Sequence, residues 1–311
     1  MSHVAVLGGL NMDLMLETPV PAGTGETREG TRFYTTPGGK GGNQAVAAAR
    51  ILAEGGSVSF IGRVGTDAYG EEVVASLERF GVDTTFVRRD PAAVSGVAVI
   101  FIDGQGESYV NAVYGANARC NDDQLRDLAE LLPDCSALLV QQEIPREVTL
   151  AAMRAARAQG VTVILDPAPT REAPPDGLVQ ACDIITPNEH EAADLCGFAV
   201  DDMDAVRRAA RQLREAGVPA AIITLGARGA WLECDGASGL VAAPAVRTLA
   251  TVGAGDAFNG FLAAGLASGR DLNECVRLAV VAGALSVTKE GAQDSMPTLD
   301  EVLALAENAA S

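Results

Sequence analysis

From Ala137 to Leu225 the chain repeats one unit: a short apolar run, a polar or glycine-bearing stop, then a longer pattern with helical spacing. Ala137–Gln141, Val161–Leu165, Asp183–Thr186 and Ala220–Leu225 read as buried strands, and Glu147–Gln159, the stretch following Glu191, and Ala205–Ala216 read as helices. Strands linked through helices run parallel, and their helices cover both faces of the sheet. The same grammar extends outward. His3–Leu7 and Ser57–Ile61 are strands, and helical patterns follow from Gln44, over Tyr69–Phe80 and over Leu125–Leu132. At the far end, Ala230–Glu233 and Gly239–Ala242 read as an antiparallel hairpin, and Asp256–Ala267, Asn273–Thr288 and Leu299–Ala309 as helices.

Two segments fall outside this layered pattern. Asp13–Glu17 continues as a strand into the polar, glycine-rich Thr18–Thr36, and Val97–Ile102 pairs with Tyr109–Val113 around the turn Asp103–Gly106. Together they predict a small accessory sheet from about 12–35 and 95–113, on a single α/β domain spanning 1–311.

Composition narrows the function. A net charge of −18 argues against a nucleic-acid partner and an anionic membrane surface. An anionic ligand must therefore be held by local N–H groups and a metal. The six cysteines include no CxxC pair, and the two histidines form no zinc spacing with them, so the cysteines read as small apolar residues in a reducing compartment. No leader pattern and no apolar run of about 18 residues is present, which predicts a cytoplasmic location.

The chemistry gathers in glycine-bearing stops. Gly253-Ala254-Gly255 runs into Asp256 and then into an apolar helical pattern. A helix start offers unpaired N–H groups with partial positive charge, an anion site, and Asp256 stands at its edge. A phosphoryl group on the N–H groups and a hydroxyl facing the carboxylate would make a phosphotransfer site; an ordinary glycine turn with Asp at the helix start is the alternative. Pro37-Gly-Gly-Lys40-Gly-Gly-Asn43 also leads into a helix. Lys40 is not followed by Ser or Thr, so it is no nucleotide-hydrolase loop, and Gly8–Asp13 lacks the dinucleotide fingerprint. Polar residues recur at strand ends: Asn11, Asp13, Glu143, Asp166, Asn188, Glu191, Gly226 and Asp256. Such ends share one edge of an open α/β sheet. Asn11, Asp13, Lys40, Asn43 and Glu143 are of the kind that hold a polyol. Asn188 and Glu191, at i, i+3 spacing, suit a magnesium ion or a helix-capping box.

Ten stretches then run in order along the chain: GGLNMD (8–13), PGGKGGNQAVAAAR (37–50), GRVGTDAYG (62–70), YGAN (114–117), QQEIP (141–145), DPAP (166–169), ITPNEHEA (185–192), TLGARG (224–229), GAGDAFNG (253–260) and SVTKEGAQDSMP (286–297). In these the sequence resembles the ribokinase-like carbohydrate kinase family. The resemblance implies a nine-stranded α/β fold with a β-sheet lid, a homodimer joined through the lids, and ATP-dependent phosphorylation of D-ribose at O5. Carried over by position, it implies Asp256 as base, with Gly253, Ala254 and Gly255 as the anion hole. Asn11, Asp13, Gly39, Lys40, Asn43 and Glu143 are implied as sugar ligands. Asn188, Thr224, Gly226, Gly229 and Gly255 are implied as nucleotide contacts, and Glu191 as serving Mg²⁺. Other sugars or a nucleoside as acceptor, and a non-catalytic sugar-binding regulator, are the competing readings. One departure stands out. The family writes an Asp where this chain has Ala250, next to an activating monovalent-cation site that Val252, Ser286, Lys289, Gly291 and Ser295 would otherwise build. Strong K⁺ activation is therefore not expected.

Overall fold

The computed structural model describes residues 2–52, 55–105, 108–170 and 177–310. Gly106 of the turn and residues 53–54 at the end of the first helical pattern lie outside them. The first strand, β1 (Ser2–Leu7), is followed by β2 (Asn11–Glu17), β3 (Arg32–Gly38), α1 (Lys40–Leu52), β4 (Gly56–Gly65), α2 (Ala68–Arg79) and β5 (Asp83–Asp90). Next come β6 (Gly96–Ile102), β7 (Ser108–Val113), α3 (Asp122–Leu131), β8 (Ala137–Val140), α4 (Arg146–Ala158), β9 (Thr162–Leu165) and β10 (Ile184–Ile185). The remainder comprises α5 (Glu189–Cys196), α6 (Met203–Glu215), β11 (Ala220–Thr224), β12 (Ala230–Cys234), β13 (Ala237–Val241), α7 (Ala254–Ala267), α8 (Leu272–Ser286) and α9 (Leu299–Ala310).

Nine strands form the central sheet in the order β13-β12-β11-β10-β9-β8-β1-β4-β5, parallel except where β12 and β13 close one edge as antiparallel neighbours. Strand periodicity of two fills both faces. Val4 and Val6 of β1 pack with Phe60, Leu139, Phe258 and Phe261 on the side of α1, α7 and α8. Ala5 and Leu7 pack with Ile61, Leu138, Val140 and Met153 on the side of α3 to α6. The accessory sheet has the order β3-β2-β6-β7 and only a small core around Met15, Ala98 and Ile100. No helix among the described residues is long and apolar enough to cross a membrane.

Three expectations need correction. Lys40, Gly41 and Gly42 are the first turn of α1 rather than a loop ahead of it. The strand expected from Asp13 begins two residues earlier, so Asn11 as well as Asp13 lies on β2, the strand by which the accessory sheet grows from the core. Third, β3 and β5 are strands where none was assigned. β5 reads DTTFVRRD, an edge strand on which Asp83, Arg88 and Arg89 are exposed, Asp90 is buried against Arg63 and Arg119, and Phe86 and Val87 touch the two cores.

Candidate active site

The site forms where the carboxyl edge of the central sheet meets the root of the accessory sheet. Glu143 and Asp166 follow β8 and β9, Asp13 comes from β2, and Asp256 lies in the first turn of α7. All four are buried. Helix packing brings the rest. Gly260 of α7 crosses α1 so closely that a Cβ there would meet the Ala47 methyl, the Gln44 carbonyl at 2.7 Å and Ala48 N at 2.8 Å. At that crossing Asn43 Nδ2 donates to Asp256 Oδ2 at 3.0 Å, and Gln44 Nε2 donates to Asp256 Oδ1 at 3.0 Å and to Asp166 Oδ2 at 2.7 Å.

Glu143 ties the two sheets together. Its Oε2 accepts from the Lys40 N–H at 2.8 Å and its Oε1 from Asn11 Nδ2 at 3.2 Å. Asn117 in turn donates to Asn11 Oδ1 at 2.9 Å and brackets the Leu10 peptide, accepting from its N–H and donating to its carbonyl. The positive-φ turn at Gly39 packs against Asn11 N and Gly9 O, so Gly39 shapes the floor with its backbone.

Charge in this cluster is one-sided. Lys40 Nζ lies 3.8 Å from Asp166 Oδ2. Burial works against its ammonium, but Asp166, Asp256, Glu191 and Glu143 together outweigh that and raise its pKa. Burial, reinforced by Glu143 and Asp256, pushes Asp13 up to about 8. Burial pushes Glu143 up to about 7 although Lys40 opposes it, and burial and then Asp166 push Glu191 up to about 7. Asp166 is raised by burial, with Lys40 pulling the other way. Acids that cannot all ionise, gathered in one cleft, mark a functional site.

Beside the cluster opens a cavity of about 850 Å³ lined by Lys40, Asn188, Thr224, Gly226, Gly229, Gly253, Ala254, Gly255 and Asp256. Pro244, Val246, Val280 and Val287 supply an apolar wall that the sequence reading missed. No side chain caps α7. Gly253 holds its N-cap position at φ +83°, a left-handed conformation open to glycine, and leaves the first-turn N–H groups to a ligand. Asn259 fixes that turn, donating to Gly255 O at 3.0 Å and accepting from Thr186 Oγ1 at 2.7 Å. Asn188 and Glu191 form a reciprocal capping box on α5, each side chain accepting from the other's backbone N–H at 2.9 Å.

The expected sugar ligands and nucleotide contacts therefore lie on adjoining parts of one cleft. The residues of the monovalent-cation reading have other partners. Ser286 and Ser295 donate to Gly283 O and Ala292 O, Lys289 pairs with Glu301 at 2.7 Å, and the Val287 carbonyl accepts from Leu249 N and Ala250 N. Val252 and Gly291 carry no side-chain oxygen. Gln44, Gln141, Asn117 and Asn259 were missed as site residues; the one available signal was that all four lie inside the ten quoted stretches. Asp166 stood among the strand-end acids but received no role.

A family model described as pfkB family carbohydrate kinase matches residues 1–299. The chain is 35% identical over 306 residues to a ribokinase of Haemophilus influenzae, covering 98% of this chain and 99% of that one. It is also 35% identical over 301 residues to a deoxyribokinase of Salmonella typhi, covering 96% of each. The structure of Arabidopsis thaliana ribokinase complexed with ribose and ATP matches with a TM-score of 0.89 at 31% identity, covering 98% of both chains. With a family model over nearly its whole length and relatives of this identity and coverage, the chain belongs to the pfkB family of carbohydrate kinases.

Proposed function

We propose that the protein is a ribokinase, transferring the γ-phosphoryl group of ATP to O5 of D-ribose. The observation that carries this is the place of Asp256. Its carboxylate is held by two amides at the junction between a floor of buried acids and amides and a cavity that ends on an uncapped helix N-terminus. Asn43 Oδ1 is buried without a partner, an acceptor left for a ligand hydroxyl. Asp13, Glu143 and Asn11 add acceptors around it, so a polyol that donates to them relieves the repulsion among the acids. A site that pairs each hydroxyl also rejects analogues lacking one. Gly39 and Lys40 complete the sugar floor.

ATP fits the cavity with its base on the apolar wall, contacts at Asn188, Thr224, Gly226 and Gly229, and its γ-phosphate on the N–H groups of Gly253, Ala254 and Gly255. Asp256 then accepts the proton of the attacking hydroxyl, late in the transfer, because a carboxylate is a much weaker base than an alkoxide. The donor set suits Mg²⁺. Glu191 and Asp166 are acids in electrostatic reach of each other, and Mg²⁺ needs one or two carboxylates beside its waters. Bound there, the ion supplies neutralising charge for the phosphates. A monovalent cation does not fit in the same way. Ala250 brings no carboxylate, and the nearby Val287 carbonyl already accepts from two N–H groups.

The accessory sheet serves as a lid that excludes water. Its exposed Phe33, Tyr109, Val110 and Val113 form the contact of a homodimer. A cytoplasmic location follows from this metabolic role. Because a deoxyribokinase stands at the same identity as the ribokinase, 2-deoxy-D-ribose is the second acceptor to weigh. Coupled ADP release with a panel of D-ribose, 2-deoxy-D-ribose, D-fructose and nucleosides tests the reading. D-Ribose is expected to give the highest kcat/KM, and Asp256→Asn to lower kcat by about 10²- to 10⁴-fold, the usual contribution of a general base. Unchanged turnover in Asp256→Asn refutes the mechanism.

A further inference from the structure

The amide of Gln44 does more than fill space beneath the carboxylates. It is fully buried. Its Nε2 reaches two acids at once, Asp256 Oδ1 at 3.0 Å and Asp166 Oδ2 at 2.7 Å, which uses both of its N–H groups. Its Oε1 accepts from Gln141 Nε2. The two carboxylates set the sense of the amide, and Gln141 supports it by donating to Gln44 Oε1. Turned over, Gln44 would face both carboxylates with an oxygen and lose two charge-assisted hydrogen bonds in a buried place. The Gln44 backbone is fixed as well, since its carbonyl packs against Gly260 of α7, four residues past Asp256.

From these contacts we infer that Gln44 is a positioning residue for phosphoryl transfer. With its oxygen paired to Gln141, its amide fixes Asp256 Oδ1 and ties the rotation of that carboxylate to Asp166, so that the base meets the acceptor hydroxyl in one orientation. The inference rests on Asp256 acting as the base. A neutral amide suits the task. It anchors a carboxylate by a charge-assisted hydrogen bond without adding a second cation next to Lys40, which would weaken the base. The charged groups facing Asp256 are Lys40 of α1, Asp13 of β2, Glu143 beyond β8, Asp166 beyond β9 and Glu191 of α5.

The test compares wild type, Gln44→Met, Gln141→Leu, Asp256→Asn and the Gln44→Met/Asp256→Asn double variant in steady-state ADP release with D-ribose, with KM for both substrates. Methionine is as neutral as glutamine and close in size, so Asp256 and the five charged groups facing it stay in place and only the donors are lost. Gln44→Met is expected to lower kcat about 10²-fold, as misplacement by about 1 Å does. Both KM values should stay within about threefold. Gln141→Leu should lower kcat by a smaller amount, again with both KM values nearly unchanged. In an Asp256→Asn background Gln44→Met should cost nothing more, because the two act as one unit.

A Gln44→Met kcat within about threefold of wild type overturns the inference, as does a loss of kcat matched by an equal loss of sugar affinity. If Gln44→Met does not fold, Gln141→Leu decides by the same readouts. Should Asp256→Asn itself retain full turnover, the base assignment falls. An inactive Asp256→Asn beside an unaffected Gln44→Met sinks only the positioning role.

Discussion

Gly260→Ala perturbs the crossing that puts α1 against α7. The new methyl would stand 2.7 Å from the Gln44 carbonyl and 2.8 Å from Ala48 N, and would also meet the Ala47 methyl. Restoring ordinary contact at about 3.5 Å parts the helices by roughly 0.7–1 Å. The hydrogen bonds from Asn43 and Gln44 to Asp256, both 3.0 Å, then stretch to nearly 4 Å, beyond the range in which they hold. Overpacking costs about 1–3 kcal/mol, while replacing a mid-helix glycine by alanine returns about 1 kcal/mol. The net, about 0–2 kcal/mol, corresponds to a fall in Tm of at most about 3 °C for a domain of this size. If Asp256 is the base as proposed, activity should suffer far more, by about a hundredfold in kcat, because its carboxylate loses its alignment. Differential scanning fluorimetry and coupled ADP release on the same preparation read the two effects. A variant with lowered Tm but wild-type kcat would refute the claim that this crossing sets the base.

The acids of the sugar floor make stability depend on pH. Asp13 is raised to about 8, so from about pH 4 upward the folded chain keeps a proton that the unfolded chain has released, and stability falls as pH rises toward 8. Asp13→Asn removes that penalty, so its Tm advantage over the wild type, both without sugar, should grow between about pH 5 and about pH 8; an advantage that stays constant contradicts the assignment. Turnover should depend only weakly on K⁺ when chloride salts of sodium, potassium and tetramethylammonium are compared, and Ala250→Asp should strengthen the dependence. Loss of native activity on omitting K⁺ ends that idea. Val110, 58% exposed on β7, should be half of a lid contact. Sedimentation velocity should give a dimer for wild type and a monomer for Val110→Asp, whereas a wild-type monomer at micromolar concentration removes the proposed interface.

The regular strands and helices from Ala137 onward were legible because each strand is apolar on both faces, and only a parallel sheet covered on both sides buries such a run. The uncapped start of α7 was legible for a local reason too: Gly253, Ala254 and Gly255 permit a backbone that larger residues do not. β5 was not legible. It lies at a sheet edge, where alternating exposure lets DTTFVRRD carry four charges, and pairing with β4 rather than composition makes it a strand. Nor was the extension of α1 to Lys40 legible, because four glycines in the segment 37–43 argue for a loop unless tertiary contacts offset their entropy. Gly41 is helical and packs against Gly8 and Gly9 at a distance that no side chain could occupy.

What the sequence determined by itself was the set of groups, the acids, amides and free N–H groups, and the layered fold that sends them to one edge. Tertiary structure decided which of them touch. Asn43 and Gln44 are neighbours on α1, yet both amides converge on one carboxylate more than two hundred residues away because Gly260 lets two helices meet almost backbone to backbone. Spacing along a chain carries no record of such a contact. A hydrogen bond exists only at about 3 Å, and that distance is set by how the helices pack.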